Sequence, residues 1–227
     1  MSSSGQPTST LSPAEPGSGR AGQAKPALYI ISGPSGSGKS TITARLAAAG
    51  KAVFSVSYTT RKCHHSEREG IDYRFVSEPR FKQLQSNGEL LESALVHGNW
   101  YGTSRADIND FLAKGKNVML EIDVKGAEQV RTCGLPCTSI FILPPSPEEL
   151  LARLAGRQRE EDEQIRMRLA NARQEVQAIA DFEFFIINRD IDQAVQDIAG
   201  IIDNRDRSHN LANQQELIEK WQQWARK

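Results

Sequence analysis

The stretch GPSGSGKS, Gly33 to Ser40, decides how the rest of the chain is read. It has the form G-x-x-x-x-G-K-[ST] and stands between an apolar run, ALYIIS (Ala27–Ser32), and a helical pattern, KSTITARLAAAG (Lys39–Gly50). A strand that runs into a glycine-rich turn and then a helix is the context that separates a phosphate cradle from a chance match. The glycines let successive backbone N–H groups converge on phosphate oxygens at the positive end of the following helix. Gly33, Pro34, Ser35, Gly36, Ser37, Gly38, Lys39 and Ser40, with Thr41 behind them, are therefore the candidate nucleoside triphosphate site. Lys39 supplies a mobile charge for the β- and γ-phosphates, and Ser40 offers a hydroxyl to Mg2+. A second strand pattern, NVMLEID (Asn117–Asp123), ends in acids and puts Glu121 or Asp123 near that metal.

Outward from the cradle, apolar strands alternate with helices. AVFSVS, DYRFVS, TSIFIL and FEFFIIN read as strands. EPRFKQLQSNG reads as a helix with Ser77 as N-cap and Gly88 as its stop, and SRADINDFLAKG carries a capping box from Ser104 to Asp107. SPEELLARLAGR opens on Ser146 with Pro147 at its first position. Two amphipathic helices follow, one bearing Ile191, Val195, Ile198 and Ile202, the other Leu217, Trp221 and Trp224. Continuous apolar strands separated by helices predict an α/β fold, a parallel sheet covered by helices on both faces. Residues 57–104 break this rhythm with polar strands set close together, as an insertion with its own small sheet does.

Composition bounds the function. Among 227 residues, 38% are hydrophobic, and 28 Lys+Arg balance 28 Asp+Glu. No global charge draws the chain to nucleic acid or an anionic membrane, so anion binding must be local. No apolar stretch approaches the ~20 residues that cross a bilayer. Cys133 and Cys137 are spaced C-x3-C, unlike zinc or redox motifs, and the three cysteines read as reduced thiols of a cytoplasmic protein. Residues 1–26, rich in Ser, Pro and Gly, predict a disordered tail, because such a segment buries too little surface to offset its ordering entropy.

A second polar stretch, SYTTRKCHHSEREGIDY (Ser57–Tyr73), has three readings. Cys63, His64 and His65 suggest a metal, yet adjacent residues of an extended chain point to opposite faces. Ser57, Arg61 and Tyr73 suggest an anion site, since all three donate hydrogen bonds and arginine does so bidentately. An exposed charged loop is the plainest reading.

Taken together, SGPSGSGKST, SVSYTTR, EGIDYRFV, LLESALVHGNWYGTS, LEIDVKGA, IFILPPSPEELLARLAGR and IRMRL, in this order, resemble guanylate kinase. The resemblance runs from about Ala27 to Arg207. It implies a P-loop parallel-sheet core with an inserted mixed-sheet GMP-binding subdomain (57–104) and a short lid (157–168), within a domain of residues 27–207. Residues 208–227 would be a C-terminal amphipathic helix, docked on its own chain or at a dimer interface. The implied reaction is Mg2+-assisted transfer of the ATP γ-phosphoryl group to GMP, with ATP and GMP as partners and the protein a monomer or homodimer. Matching by motif, Ser57, Arg61, Tyr73 and Tyr101 would hold the GMP phosphate, and Glu92, Thr103 and Asp123 would read guanine. Guanine presents N1–H and an amine, both donors, so Glu92 can accept twice, whereas adenine would face that carboxylate acceptor to acceptor. Arg153, Arg157 and Arg168 match the family's arginines around the triphosphate, joining Lys39 and Arg61 as catalytic residues, with Ser40 and Glu121 toward the metal. The rival readings are a P-loop kinase for another phosphorylated acceptor such as a sugar phosphate, a non-catalytic guanylate-kinase-like interaction module, and an ATPase or GTPase switch.

The pattern departs from the family at the opening stretch, where T-R-x-P-R-x-G-E is usual and this chain has TTRKCHHSE. His64 takes the place of a second phosphate-binding arginine. An imidazole is a part-time cation without the guanidinium fork, so weaker GMP binding is expected.

Overall fold

The computed structural model describes residues 25–96, 98–155, 162–203 and 214–226. Nearly all of the 1–26 tail, Arg157 with the first residues of the 157–168 lid, and the start of the 208–227 segment lie outside the described residues.

In chain order the elements are β1 (Leu28–Ser32), α1 (Lys39–Ala48), β2 (Val53–Phe54), β3 (Tyr58–Thr59), β4 (Arg74–Phe75), α2 (Glu78–Ser86), β5 (Leu90–Val96), β6 (Asn99–Ser104), α3 (Arg105–Ala113), β7 (Val118–Glu121), α4 (Val124–Thr132), β8 (Cys137–Leu143), α5 (Pro147–Ala155), α6 (Asp162–Gln177), β9 (Phe184–Ile187), α7 (Ile191–Ile202) and α8 (Gln215–Ala225). Five strands form a parallel sheet in the order β2-β7-β1-β8-β9. The cradle thus follows a central strand, and Glu121 ends the strand beside it. That is the carboxyl edge of the sheet, where open α/β folds bind ligands.

Side-chain alternation explains the two covered faces. Leu28, Ile30, Val118, Leu120, Phe141 and Phe185 belong to one core cluster, which takes in residues of α3, α4, α5, α6 and α8. Tyr29, Ile31, Met119, Ile140, Ile142 and Ile186 belong to the other, with α1 and α7. Because successive residues of a strand point to opposite faces, uninterrupted apolar runs are what a sheet buried on both sides requires.

The second sheet, β4-β3-β6-β5, lies wholly within residues 58–104 and is mixed: β3 runs parallel to β4 and antiparallel to β6. Its own small core is Phe81, Leu84 and Leu90, with Trp100 against Phe81.

Several local expectations need correction. AVFSVS and DYRFVS each contribute only two strand residues, Val53–Phe54 and Arg74–Phe75, both at sheet edges. The Ser104 box is half made: Ser104 Oγ accepts from the Asp107 N–H, but the Asp107 carboxylate turns to Arg74 instead of returning to the cap. Helix α4 is absent from the sequence reading altogether. The C-terminal helix docks intramolecularly, with Ile218 and Trp221 buried in the core cluster that also takes in Ala172 and Val176 of α6.

Candidate active site

A cleft of about 380 Å³ runs from the cradle to the second sheet, lined by Gly33, Ser35, Gly36, Gly38, Lys39, Ser40, Thr41, Ser57, Tyr73, Glu92, Tyr101, Glu121 and Asp123 among others. It brings together the candidate ATP residues except Pro34 and Ser37 and the candidate GMP residues except Arg61 and Thr103.

On the cradle side, shape comes from the backbone. Gly33 and Gly38 have φ of 134° and 95°, in the region that favours glycine. A Cβ at Gly33 would overlap the Ile142 carbonyl, and one at Gly38 the Asn188 amide. Asn188 is buried and donates from Nδ2 to the Ser37 carbonyl at 2.8 Å, pinning the loop from beneath. Within the loop, Pro34 O accepts from the Ser37 N–H at 3.1 Å. Lys39 Nζ donates to Gly33 O at 2.5 Å and Pro34 O at 3.0 Å. The Glu121 carboxylate accepts from Ser40 Oγ at 2.6 Å and Thr43 Oγ1 at 3.0 Å. A hydroxyl and a carboxylate this close form a hard-oxygen donor set, which fits Mg2+, an ion that takes few protein ligands and keeps its waters.

On the second-sheet side, shape comes from side chains. The β5–β6 hairpin pairs Val96 with Asn99, and the same register sets Glu92 opposite Thr103. Thr103 Oγ1 donates to Glu92 Oε1 at 2.6 Å. Thr103 is fully buried and Glu92 only 4% exposed. Burial pushes the Glu92 carboxyl up to about 7, with the Asp123 charge adding and the Thr103 hydrogen bond opposing. The single Thr103 proton is spent on Glu92 here, so donation to a ligand would require the hydroxyl to rotate. Asp123 caps α4, accepting from the Gly126 N–H with Oδ1 at 2.8 Å.

Arg61 is held on three sides. Its Nε donates to Tyr101 Oη at 3.2 Å, its NH1 and NH2 fork the Glu67 carboxylate at 3.0 and 2.7 Å, and NH1 also reaches Lys62 O at 2.9 Å. The guanidinium lies 5.3 Å from the Tyr73 ring centroid, and the Tyr73 and Tyr101 rings meet at 5.8 Å. Ser57, at the cleft wall, accepts the Arg74 N–H with its carbonyl. The His64 N–H donates to Glu67 Oε2 at 2.9 Å, which sets residue 64 beside the Arg61 fork. The His64 and His65 rings are 4.1 Å apart, closer than an extended chain allows, because they sit on a turn. Cys63 Sγ is directed to the His64 and Glu67 carbonyls.

Arg153 stands beside Gly36, its Nε paired with Glu149 at 3.0 Å and its NH2 3.4 Å from Asn188 O. Arg168 is half-buried on α6. Four contributors escaped the sequence reading: Asn188, Thr43, Glu67 and Glu175. Glu175, on α6, lines the cleft, and burial raises its carboxyl to about 7 although Lys39 draws it down. Only Glu67 had a local signal, its spacing of six from Arg61 in a polar stretch.

A family model for guanylate kinase matches residues 25–205. The chain is 43% identical over 192 residues to the guanylate kinase of Methylobacillus flagellatus, covering 84% of this chain and 93% of that protein. Against the guanylate kinase of Nitrosomonas europaea it is 44% identical over 176 residues, or 77% of this chain and 88% of the relative. The crystal structure of guanylate kinase from Anaplasma phagocytophilum superposes with a TM-score of 0.65 at 32% identity, over 87% of this chain and 96% of that one. A complete phosphate cradle, a second sheet carrying a buried acid, and these likenesses across nearly the whole fold identify the chain as a member of the guanylate kinase family.

Proposed function

We propose that the protein transfers the γ-phosphoryl group of ATP to the 5′-phosphate of GMP, giving ADP and GDP. The observation that carries this reading is the single cleft joining the cradle to the buried Glu92–Thr103 pair. A triphosphate in the cradle and a guanine on Glu92 would face each other across it.

The cradle amides and Lys39 hold the donor phosphates. Lys39 reaches them by leaving Gly33 O and Pro34 O, since its long stem needs no backbone movement. Ser57, Arg61, Tyr73 and Tyr101 grip the GMP phosphate, with Glu67 fixing the plane of the Arg61 fork. Ionised Glu92 accepts from guanine N1–H and the amine, while Asp123 offers its Oδ2 beside them. Ser40 and Glu121 would hold Mg2+, which neutralises charge on the phosphates when bound. A GMP phosphate oxygen attacks the γ-phosphorus as the bond to the ADP oxygen breaks, so the protein's work is alignment and charge neutralisation. Arg153, Arg157 and Arg168 add positive charge around the moving group.

In this reading residues 57–104 are the GMP-binding subdomain, 157–168 the lid, 1–26 a tail, and α8 within the 208–227 segment a brace on the core. No described helix is long and apolar enough to cross a membrane. The three free cysteines suit the reducing cytoplasm. Incubating the protein with ATP, Mg2+ and one acceptor at a time (GMP, AMP, CMP, UMP, a sugar phosphate) and separating the nucleotides tests the proposal. GDP and ADP in equal amounts from GMP alone is the expected result. Turnover of the sugar phosphate, or ADP without GDP, contradicts it.

A further inference from the structure

Helix α4 contains a glycine that its backbone does not need. Gly126 lies in the first turn, in ordinary helical geometry, where a glycine weakens a helix relative to alanine. The space around it explains its presence. A Cβ built there would stand 2.8 Å from Glu92 Oε2, 3.3 Å from Asp123 Oδ1 and 3.4 Å from the Glu92 carboxyl carbon.

Neither partner can step back without loss. Glu92 Oε1 is tied to Thr103 Oγ1 at 2.6 Å, so moving the carboxylate breaks that bond. Helix α4 is tied to β5 by Gln129, whose amide accepts from the Ser93 N–H at 3.0 Å and donates to the Ser93 carbonyl at 2.9 Å. Those two bonds complete the open edge of β5 one residue from Glu92 and fix the distance between helix and strand. Asp123 adds a third constraint, since its Oδ1 already receives the Gly126 N–H.

We propose that Gly126 is a specificity-positioning residue: the space left by its missing side chain is where the Glu92 carboxylate stands to read guanine. A methyl group there leaves the fold intact, because the atoms it meets belong to side chains and not to backbone, and the Glu92–Thr103 bond is what gives way. What it moves is the base reader. This inference rests on GMP being the acceptor, and the test separates the two ideas.

The experiment compares wild type, Gly126→Ala, Glu92→Asp and the double variant, measuring ADP release against GMP and against ATP, together with thermal melting. For Gly126→Ala the expected result is a rise of about ten- to a hundredfold in KM for GMP, from a displaced hydrogen bond to a charged group. The KM for ATP stays within about twofold and the melting temperature changes little, because the gain in helix propensity and the loss of the Glu92–Thr103 bond act in opposite directions. Glu92→Asp, which draws the carboxylate away from the methyl, costs less GMP affinity in the Gly126→Ala background than in wild type. An unchanged KM for GMP in Gly126→Ala overturns the inference. So does an equal loss for both substrates with a lowered melting temperature, which makes Gly126 a folding residue only. Failure of the wild type to phosphorylate GMP instead overturns the substrate assignment on which the inference stands.

Discussion

The cradle and the second-sheet pocket, the two halves of the proposed site, are built from different materials. In the cradle, donors belong to the backbone and are aimed by glycine conformations, with Gly33 and Gly38 at positive φ and no room for a Cβ. In the pocket, donors and acceptors belong to side chains brought from β5, β6, the Ser57–Tyr73 stretch and the start of α4, each held by a neighbour: Arg61 by Glu67, Glu92 by Thr103, Asp123 by the Gly126 N–H. Backbone amides recognise any phosphate and cannot be tuned one at a time. Side chains can be exchanged singly, which is where a choice between bases has to reside.

This contrast fails or sharpens on a series of substitutions. The largest effect belongs to the cradle: Lys39→Met should lower kcat by about a hundred- to a thousandfold, as loss of one transition-state donor does, with melting unchanged. A kcat within tenfold of wild type would remove Lys39 from the reaction. Next comes acidity in the pocket. Burial raises Glu92 to about 7, so its ionised form, the one able to accept from both guanine donors, is depleted as pH falls below that value. The KM for GMP should therefore climb, approaching about tenfold for each unit below 7, and this climb should disappear in Glu92→Gln, whose amide does not titrate. Initial rates from pH 5.5 to 8.5 with GMP varied, in wild type and in Glu92→Gln, test this; the same climb in the variant would refute it.

A smaller effect is expected where a side chain acts through another. Glu67→Gln keeps its shape but removes the charge that forks Arg61, and should raise the KM for GMP about tenfold, the worth of a charge-assisted bond. No change would mean that Arg61 is aimed by Tyr101 and the Lys62 carbonyl alone. The smallest change is a gain. His64→Arg restores a guanidinium beside the Arg61 fork and should lower the KM for GMP about threefold, as expected for a partly exposed charge contact. Weaker binding would show that residue 64 lies off the phosphate.

Legibility in the sequence follows the same division. The cradle could be read because its ligands are contiguous and its strand–turn–helix context is local. The layered core could be read because a strand buried on both faces is apolar at successive positions, as Leu28, Ile30 and Ile31 are with Tyr29 between them. The anion side of the pocket, Ser57, Arg61 and Tyr73, was one of three readings of its stretch, but the Glu92 side was legible only through resemblance, since nothing local to Glu92 says that it pairs with Thr103 until the hairpin register is known. Asn188 and Glu175 were illegible for a related reason: one follows β9 and the other sits on α6, and only tertiary folding carries them to the cradle and cleft. Helix α4 was missed because Gly126 dilutes its pattern, and that same glycine makes room for the Glu92 carboxylate.

The most direct measurement of the central claim is the ratio of kcat/KM for GMP to that for AMP, in wild type and in Glu92→Ala. With a buried carboxylate as the reader, the wild-type ratio should reach about 10^4 or more, and the variant should fall toward unity through loss on the GMP side. A wild type that accepts both bases equally, or a variant that keeps the full ratio, would contradict the account.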